Sequence, residues 1–457
     1  MLKYVGTIKN SAVLEVMERL ISAGYEAYLV GGCVRDSIPE MKKNRCSWAD
    51  IDIATDALPE NVKNVFAHKR TVDTGIRHGT VTVFAGNENI PVEITTYRAE
   101  KGYSDGRHPD DVKFVSSIRE DLKRRDFTIN AMAMDIRGNI VDPFGGIEDI
   151  RRRMIRTVGD PHDRFKEDAL RIMRALRFSS VLGFQIDVET VKAAEETCSM
   201  LHMISPERIW DELGKLIVGK HAGDTIREYT EVLGEILPEL LSMKGFDQHN
   251  EYHKYDVLEH CIRTMESVET NEQNIKYMKI AALFHDIGKP LTYSDDDSGR
   301  GHFFGHAAAS SQVADRILER FRVDRHMAER IHILIRHHDI IFERDAGQLK
   351  KLMNRFTPGI LLEILYIKRA DNMATGNMSG ELMKKFDDIE KMIKDILVRN
   401  ECFSLGMLSV NGRDIRGLGI EEGPEIGRIL NELLELVIED RAPNEKEPLL
   451  EIAKNIV

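Results

Sequence analysis

The spacing of apolar and polar residues changes character near residue 140 of this 457-residue chain. Before that point, the apolar run from Ala27 to Val30 and the β-branched segment from Val92 to Arg98 have the length and residue types of strands. From about residue 147 onward, apolar residues recur at helical spacing almost throughout. The pattern predicts an α/β head with a mixed sheet, followed by helices to the end of the chain.

Turn-forming residues and chain length divide the sequence further. The segment from Asp142 to Gly146 contains a proline and two glycines, which predict a turn out of the head. A single hydrophobic core stops growing at roughly 250–300 residues, so a chain of this length should form several domains. We predict a head (residues 1–140), a helical neck (141–218), a helical body (219–375) and a helical tail (376–457).

Two glycines follow the first predicted strand, and two aspartates lie in a later one. Gly31 and Gly32 let backbone N–H groups approach a triphosphate, with the positive charge of Arg35 beside them. Isoleucines alternate with Asp50 and Asp52, which places both carboxylates on one face of a strand. Such carboxylates repel each other, and divalent cations are their natural partners. The combination predicts a nucleotidyl-transfer site that uses Mg²⁺.

Further polar residues extend this candidate site. Glu93 is the one carboxylate in its predicted strand and is a candidate third metal ligand; the alternative is an edge-strand glutamate that faces water. Arg124 and Arg125 are suited to binding phosphates. Asp126 and Asn130 are four residues apart, so on a helix they would share a face and meet a ribose.

Four segments, in this order, resemble the motifs of class II CCA-adding enzymes (tRNA nucleotidyltransferases) and of the related bacterial poly(A) polymerases. They are Leu29–Asp36, Asp50–Thr55, Arg124–Ala131 and Glu167–Arg171. The resemblance implies that the catalytic metals bind to Asp50 and Asp52, with Glu93 as the third carboxylate. It also implies that the nucleotide is bound by Gly31, Gly32, Arg35, Arg125, Asp126 and Asn130.

The segment from Glu167 to Arg171 resembles the family motif whose side chains, rather than a nucleic-acid template, choose the incoming base. Asp168 and Arg171 are three apart in a predicted helix, so an acceptor and a donor would lie side by side. Glu167 would orient the Arg171 guanidinium, and Arg174 is a further nucleotide-binding candidate. The alternative is an ordinary helix ion pair of about 0.2–0.5 kcal/mol.

Charge is distributed unevenly in this acidic chain, whose net charge is −12. Between Arg151 and Arg177 there are nine basic residues against four acidic ones, which predicts a local RNA-binding surface with marked salt sensitivity. No apolar run approaches the roughly 20 residues of a membrane span, so we expect a cytoplasmic protein without membrane contact. The five cysteines include no Cys-x-x-Cys pair, which argues against a disulfide framework and structural zinc.

The predicted body contains a second constellation, which resembles the metal ligands of HD-superfamily phosphohydrolases. Its most specific part is the segment from Ala281 to Lys289. Imidazole favours transition metals such as Ni²⁺, Mn²⁺ or Co²⁺ over Mg²⁺, and a metal-activated water would attack a phosphoester. The alternative is a helical scaffold without activity. The resemblance implies as ligands His260, His285, Asp286, His306, His337 (with His338 as its alternative) and Asp371.

Taken together, these resemblances imply an enzyme that adds CCA to tRNA 3′ ends from CTP and ATP, releasing pyrophosphate, with a phosphohydrolase as a second activity. Within the class, the alternatives are a poly(A) polymerase and a partial CC-adding or A-adding enzyme. The segment from Asp105 to Pro109 resembles the flexible loop of full CCA enzymes and favours the first interpretation. A different class is a regulatory phosphohydrolase whose head only binds nucleotide, against which the presence of Asp50, Asp52 and Glu93 argues. Another is a noncatalytic RNA-binding module, against which both complete sets of metal ligands argue. The oligomeric state is left open.

Overall fold

The computed structural model describes residues 10–41, 51–75, 79–101, 111–248, 254–296, 301–376 and 379–456. Asp50 and the segment from Asp105 to Pro109 lie outside the described residues. The chain forms two compact units, Met1–Pro238 and Glu239–Val457. The predicted α/β head with a mixed sheet, followed by helices, is confirmed. The division into head, neck, body and tail stays a prediction.

A mixed sheet is the centre of the first unit. The strands are β1 (Ala27–Val30), β2 (Ile51–Thr55), β3 (Thr71–Gly75), β4 (Thr80–Ala85), β5 (Ile90–Thr96), β6 (Arg98–Lys101), β7 (Asp111–Phe114), β8 (Ala133–Met134), β9 (Ile140–Val141), β10 (Met154–Ile155) and β11 (Gln185–Ile186). Seven of them form one sheet in the order β3-β4-β5-β2-β1-β8-β9. Strands β2 and β5 are parallel, and the other neighbours in this sheet are antiparallel.

Helices surround this sheet and fill the rest of the first unit. They are α1 (Ser11–Ser22), α2 (Gly32–Ser37), α3 (Pro59–Val65), α4 (Ile118–Lys123), α5 (Gly146–Arg152), α6 (Pro161–Glu167), α7 (Leu170–Leu182), α8 (Val188–Thr197), α9 (Pro206–Ile217), α10 (Ala222–Glu228) and α11 (Thr230–Gly234). The predicted turn before α5 is capped by Asp142, whose carboxylate accepts the N–H groups of Gly146 and Ile147. Helical structure is interrupted after residue 147 by the short parallel pair of β10 and β11, which the periodicity did not indicate.

The second unit is almost entirely helical. Its helices are α12 (Pro238–Met243, which begins at the last residue of the first unit), α13 (Val257–Glu266), α14 (Ile275–Phe284), α15 (Lys289–Thr292), α16 (His306–Arg320), α17 (Arg325–Arg336), α18 (Ala346–Phe356), α19 (Pro358–Ala374), α20 (Gly380–Val398), α21 (Gly412–Arg416), α22 (Pro424–Ile438) and α23 (Lys446–Ile456). Two short strands, β12 (Ser294–Asp295) and β13 (Gly301–His302), pair between α15 and α16.

Apolar residues of β2 anchor the predicted catalytic strand in the core. Ile51 and Ile53 are fully buried, whereas Asp52 between them is half-buried. This is the alternation that the sequence predicts, and burial of the two isoleucines fixes which face the carboxylate occupies. The neighbouring Ala54 packs with Val30 and Tyr97.

No helix in the described part of the chain is both long enough and apolar enough to cross a membrane. The cytoplasmic location stays a prediction.

Candidate active sites

Strand register brings two of the three predicted catalytic carboxylates together. Asp52 in β2 lies opposite Val30 of β1 on one side and opposite Glu93 of β5 on the other. Residues directly opposite each other in a parallel pair project from the same face of the sheet, so both carboxylates face the same way. Glu93 is exposed and Asp52 half-buried, which leaves this face accessible. The third predicted carboxylate, Asp50, lies outside the described residues.

The glycine turn lies directly against this face. Gly31 has φ +72°, a conformation that L side chains rarely adopt, and it caps the helix α2 that begins at Gly32. A Cβ atom on Gly31 would lie 3.4 Å from Asp52 Oδ2 and 3.6 Å from Arg125 Nη1. The turn, a carboxylate and a guanidinium therefore meet at one place. Carboxylate oxygens on an accessible face fit a hard divalent cation, and the guanidinium fits a phosphate.

A continuous chain of polar contacts links further predicted residues. Arg35 donates from Nε to Asp36 (2.7 Å) and from Nη1 to the side-chain oxygen of Asn130 (3.0 Å). Asn130 in turn donates to Asp126 at 3.5 Å, and Arg174 donates to the other oxygen of Asp126 at 2.7 Å. Burial opposes ionisation of Asp126, but Arg174 outweighs it and lowers the pKa of Asp126 to about 2. Asp126 is therefore ionised at neutral pH.

Arg124 and Arg125 are held by a buried carboxylate that the sequence reasoning missed. Asp121 in α4 lies 2.9 Å from Arg124 Nη2 and 3.3 Å from Arg125 Nη2. Burial opposes its ionisation, yet Arg124 and then Arg125 hold the pKa of Asp121 below its usual range. Asp121 precedes Arg124 by three residues and Arg125 by four, and side chains at these spacings meet on a helix. This spacing is the sequence signal for the pairing.

The predicted base-selecting segment is not one helix. Helix α6 ends at Glu167 and α7 begins at Leu170, and Asp168 between them is extended (φ −148°, ψ 102°). The expectation that Asp168 and Arg171 lie on one helical face is therefore corrected. Asp168 Oδ1 accepts the N–H of Leu170 at 3.1 Å, because a short acidic side chain before a helix competes for its exposed N–H groups. Asp168 Oδ2 accepts from Arg208 at 2.9 Å.

Arg171 is buried and held in one orientation. Its Nη1 donates to Glu167 at 2.6 Å and to the carbonyl of Arg164 at 3.1 Å, and its Nη2 donates to the carbonyl of Arg124 at 3.3 Å. The predicted contact between Glu167 and Arg171 is thus present. Glu167 also accepts from Arg164 at 2.6 Å.

Arginines of the basic segment are mostly paired with acids that the local charge count did not include. These acids come from other parts of the first unit, because the fold brings distant segments together. The pairs are Arg151 with Glu40, Arg156 with Asp187, Arg174 with Asp126 and Arg177 with Glu212.

In the second unit, four of the predicted metal ligands converge. His260 Nε2 lies 3.0 Å from Asp371 Oδ1 and 3.5 Å from Asp286 Oδ2. His285 Nε2 lies 3.2 Å from Asp286 Oδ2 and 3.7 Å from Asp371 Oδ1. The residues come from α13, the carboxyl end of α14 and α19, and all are buried or nearly so.

The other oxygen of Asp286 faces two further histidines. His306 Nε2 lies 3.5 Å and His338 Nε2 3.7 Å from Asp286 Oδ1, and the two nitrogens are 3.3 Å apart. His337, the preferred ligand from the sequence, instead packs its ring on Phe356 with the centroids 4.7 Å apart. The expectation for His337 is therefore corrected in favour of its alternative, His338. Helix α17 ends at Arg336, so helical periodicity cannot predict which of the next two residues turns inward.

Backbone contacts orient three of these imidazoles for metal binding. His285, His306 and His338 each direct Nδ1 to the carbonyl three residues earlier, at 2.7, 2.9 and 2.7 Å. Because a carbonyl only accepts, Nδ1 carries a hydrogen in each ring, so Nε2 is the nitrogen that is directed at Asp286 and is left for a metal ion. Burial also lowers the pKa of His338 to about 3, which keeps that ring neutral.

Asp286 is the carboxylate shared by both halves of this cluster. Its Oδ1 is buried and, among the described residues, makes no hydrogen bond. A buried carboxylate oxygen that faces imidazole nitrogens is suited to a metal ion, so the donor set fits one or two divalent cations. Lys289, which was assigned no role from the sequence, lies 2.7 Å from Asp286 Oδ2. Gly288 is required beside it, because a Cβ there would collide with the Ser310 backbone nitrogen.

Three family models match the chain. They are "Poly A polymerase head domain" on residues 27–156, "Probable RNA and SrmB- binding site of polymerase A" on residues 183–243, and "HD domain" on residues 252–376.

Relatives of similar length are CCA-adding enzymes. The enzyme of Ligilactobacillus salivarius is 32% identical over 454 residues, which cover 97% of this chain and 96% of that protein. The enzyme of Lactobacillus helveticus is 48% identical over 238 residues, which cover 52% of this chain and 57% of that protein. The chain thus matches the more similar relative over just over half of that relative's length.

Two solved structures with this fold are also CCA-adding enzymes. The crystal structure of the Bacillus stearothermophilus CCA-adding enzyme in complex with CTP has a TM-score of 0.71 at 29% identity, covering 97% of this chain and 96% of that one. The Thermotoga maritima CCA-adding enzyme complexed with tRNA has a TM-score of 0.57 at 20% identity, covering 97% of this chain and 95% of that one. At 20% identity, the likeness concerns the fold alone.

Proposed function

The chain belongs to the family of CCA-adding enzymes, and from this premise we propose that it adds CCA to tRNA 3′ ends from CTP and ATP. The observation that supports this most directly is the strand register that puts Asp52 beside Glu93, with the Gly31 turn and Arg125 against the same face. A tRNA 3′ hydroxyl would attack the α-phosphorus of the nucleotide and lose its proton, while the bond to the pyrophosphate oxygen breaks.

In this proposal, Asp50, Asp52 and Glu93 hold divalent cations, with Mg²⁺ as the ion that suits carboxylate oxygens and triphosphates. When bound there, such cations supply positive charge at the attacking and leaving oxygens of an in-line displacement. Gly31 and Gly32 leave room for the triphosphate, and Arg125, whose guanidinium lies beside the Gly31 turn, neutralises part of its charge.

The remaining nucleotide contacts divide between sugar and base. Asn130 and the ionised Asp126 would bind the ribose, oriented by Arg35 and Arg174. The base would meet Asp168 and Arg171. A carboxylate only accepts hydrogen bonds, which suits the amino groups of cytosine and adenine and disfavours the carbonyls that uracil and guanine present instead.

A primer-extension experiment tests this function. The protein is incubated with tRNA lacking its 3′ end, Mg²⁺ and each nucleotide singly and then in pairs, and the products are sequenced. We expect CTP alone to give two added residues, and CTP with ATP to give CCA and then arrest. A run of adenosines would indicate a poly(A) polymerase, and addition of only C residues or a single A would indicate a partial enzyme. Absence of any addition would reject the proposal.

We also propose a metal-dependent phosphohydrolase activity for the second unit. The observation that favours it is the convergence of imidazole nitrogens on Asp286 Oδ1, which has no hydrogen-bond partner within the described part of the chain. When bound, Ni²⁺, Mn²⁺ or Co²⁺ supplies Lewis-acid activation of water and of the phosphoester. The substrate we would test first is an RNA end with a 2′,3′-cyclic phosphate, because opening and clearing it restores the hydroxyl that CCA addition needs. Absence of hydrolysis with each of these ions and with Mg²⁺ would leave the body as a scaffold.

A further inference from the structure

Phe304 is a large apolar side chain that the fold leaves in water beside the metal cluster of the second unit. It is 81% exposed, although it lies only two residues before the ligand candidate His306. Two residues of chain span at most about 7 Å, so the backbones of Phe304 and His306 lie close together. The preceding Phe303 packs its ring on Phe246 and Tyr293, with centroids 6.5 and 5.7 Å away. Phe303 therefore serves packing, whereas folding makes little use of the Phe304 ring.

The Phe304 ring is stacked on a histidine, and its segment is tied to the metal cluster. The His302 imidazole lies parallel to this ring, at 8° and with 5.3 Å between the centroids. His302 is itself held by Asp296, whose Oδ2 lies 2.9 Å from Nε2. The Phe303 carbonyl accepts the backbone N–H of His306 at 3.1 Å and lies 2.9 Å from its Nδ1. One segment therefore orients a metal-ligand candidate and presents an exposed aromatic ring beside it.

Two further exposed apolar side chains lie on segments that supply metal-ligand candidates. Ile341 is 73% exposed and follows His338 by three residues. Leu291 is 68% exposed and follows Asp286 by five. A single exposed apolar residue is ordinary on a protein surface. Three of them on the segments that build one site indicate that this site is approached over apolar surface.

An unpaired nucleotide at the end of an RNA strand fits an aromatic ring beside a metal cluster. Its phosphate suits the metal cluster, and its base has a flat face of the kind that stacks on aromatic side chains in proteins that bind single-stranded RNA. A base inside a duplex is already stacked between its neighbours and cannot use the ring. A base-free phosphoester would reach the metals but gain nothing from Phe304.

We propose that Phe304 is a substrate-binding residue of the second unit, on which the last base of a single-stranded RNA 3′ end stacks while its 2′,3′-cyclic or terminal phosphate lies at the metal cluster. This rests on the proposed phosphohydrolase activity and names its substrate class. The site then favours unpaired RNA ends over small phosphate esters. Because stacking acts on the base, away from the reacting phosphorus, Phe304 lowers KM and leaves kcat nearly unchanged.

The kinetic test compares Phe304→Ala and Phe304→Tyr with a matched control. Val398 is 85% exposed and ends α20, a helix that supplies no metal-ligand candidate, so Val398→Ala removes an exposed apolar side chain away from the cluster. Each protein is loaded with Mn²⁺ or Ni²⁺. Values of kcat and KM are measured for a short single-stranded RNA ending in a 2′,3′-cyclic phosphate and for glycerol 1,2-cyclic phosphate, which has no base. Thermal midpoints report folding.

We expect Phe304→Ala to raise KM for the RNA end roughly 5-fold to 150-fold, the range typical of losing one stacked base, with kcat near wild type. Phe304→Tyr should keep the wild-type KM because it keeps the ring. The base-free ester should give the same kinetics with all of these proteins. Val398→Ala should match wild type on both substrates.

Binding without metal gives a second readout. A short single-stranded RNA with 2-aminopurine as its last base and a 3′-phosphate is titrated with metal-free protein, and quenching of its fluorescence reports stacking. Wild type and Phe304→Tyr should quench more strongly than Phe304→Ala. Because Phe304 lies in the second unit, the difference between these variants reports on its surface and not on the RNA-binding surface of the first unit.

Any of three results would overturn the proposal. The first is an unchanged KM for the RNA end in Phe304→Ala, or one raised equally for the base-free ester. The second is equal quenching by wild type and Phe304→Ala. The third is a wild-type dimer that Phe304→Ala dissociates in sedimentation, which would make the ring a contact between copies of the chain. A wild type that hydrolyses no phosphoester would reject the phosphohydrolase activity, whereas the quenching would still decide whether Phe304 binds a base.

Discussion

His337 and His338 are consecutive residues with opposite surroundings. His338 is buried, and its Nε2 faces Asp286, whereas His337 is half-buried against Phe356. Burial and then Arg355 lower the pKa of His337, and among the described residues this side chain belongs to neither group of potential metal ligands. A substitution of His337 is therefore a matched control for the same substitution of His338, one position farther along the chain.

We predict that His338→Ala weakens metal binding in the second unit by at least about tenfold, because an oriented imidazole is lost from the donor set. His337→Ala should retain the wild-type affinity. Titration with Mn²⁺ or Ni²⁺, followed by measurement of bound metal after dialysis, compares the two variants. A loss of metal in His337→Ala with none in His338→Ala would reverse the assignment.

Arg171 is predicted to act in base choice as well as in folding. Arg171→Ala should lower the selectivity for CTP and ATP over UTP and GTP, because it removes the donor that, in the proposed function, meets the base beside Asp168. It should also reduce the thermal midpoint, since Glu167 loses one of its two arginine partners. If nucleotide preference stays at the wild-type value while only stability falls, Arg171 serves only as the ion-pair partner of Glu167.

At the scale of elements, the β1 to α2 turn combines an unusual backbone conformation with a close approach to the catalytic face. Gly31→Ala would add a Cβ 3.4 Å from Asp52 Oδ2, in the space that we propose for the triphosphate. Gly24 is a matched control, because it also has positive φ (+89°) but a Cβ there would contact nothing within 4 Å.

We expect the two alanine variants to lose comparable stability, about 1 kcal/mol each, from the left-handed backbone. Only Gly31→Ala should raise KM for CTP, by about tenfold or more, since only that methyl group competes with phosphate. Steady-state kinetics and thermal melts on both proteins provide the comparison. Equal KM values in the two variants would mean that Gly31 serves the turn alone.

Elements with a strong local pattern were predictable. Strand β1 coincides with the apolar run Ala27–Val30, and β5 (Ile90–Thr96) overlaps the predicted strand within two residues at each end. The break between α6 and α7 was not predictable from periodicity, because it is caused by one side chain, Asp168, that binds a backbone N–H and so competes with the helix.

The sequence did not predict which distant segments contact each other in the sites. Asp52 and Glu93 were both recognised as candidates, but their register follows from the order of strands in the sheet. Arg208 and Asp168 are forty residues apart, and no periodicity connects them. Such pairings depend on how helices and strands pack, which a local pattern does not encode.

For the whole molecule, the two candidate sites lie in different compact units and should fail separately. Asp286→Ala is expected to abolish transition-metal-dependent phosphoester hydrolysis and to leave CCA addition to a clean 3′ end near wild type. Asp52→Ala should abolish CCA addition and leave phosphoester hydrolysis near wild type. Both activities are measured on each variant, with Val398→Ala as the control for substitution itself. Loss of both activities in either variant would contradict separate sites.

The central claim, that the face carrying Asp52 adds CCA to tRNA, is tested most directly by sequencing the products of one reaction. Wild type and Asp52→Ala are each incubated with tRNA lacking its 3′ end, CTP, ATP and Mg²⁺. The account predicts that wild type adds CCA and stops, and that Asp52→Ala is at least about 100-fold slower with tRNA binding and thermal midpoint preserved, because a charged metal ligand rather than packing is removed. Addition by Asp52→Ala within tenfold of wild type, or a wild-type product other than CCA, would contradict it.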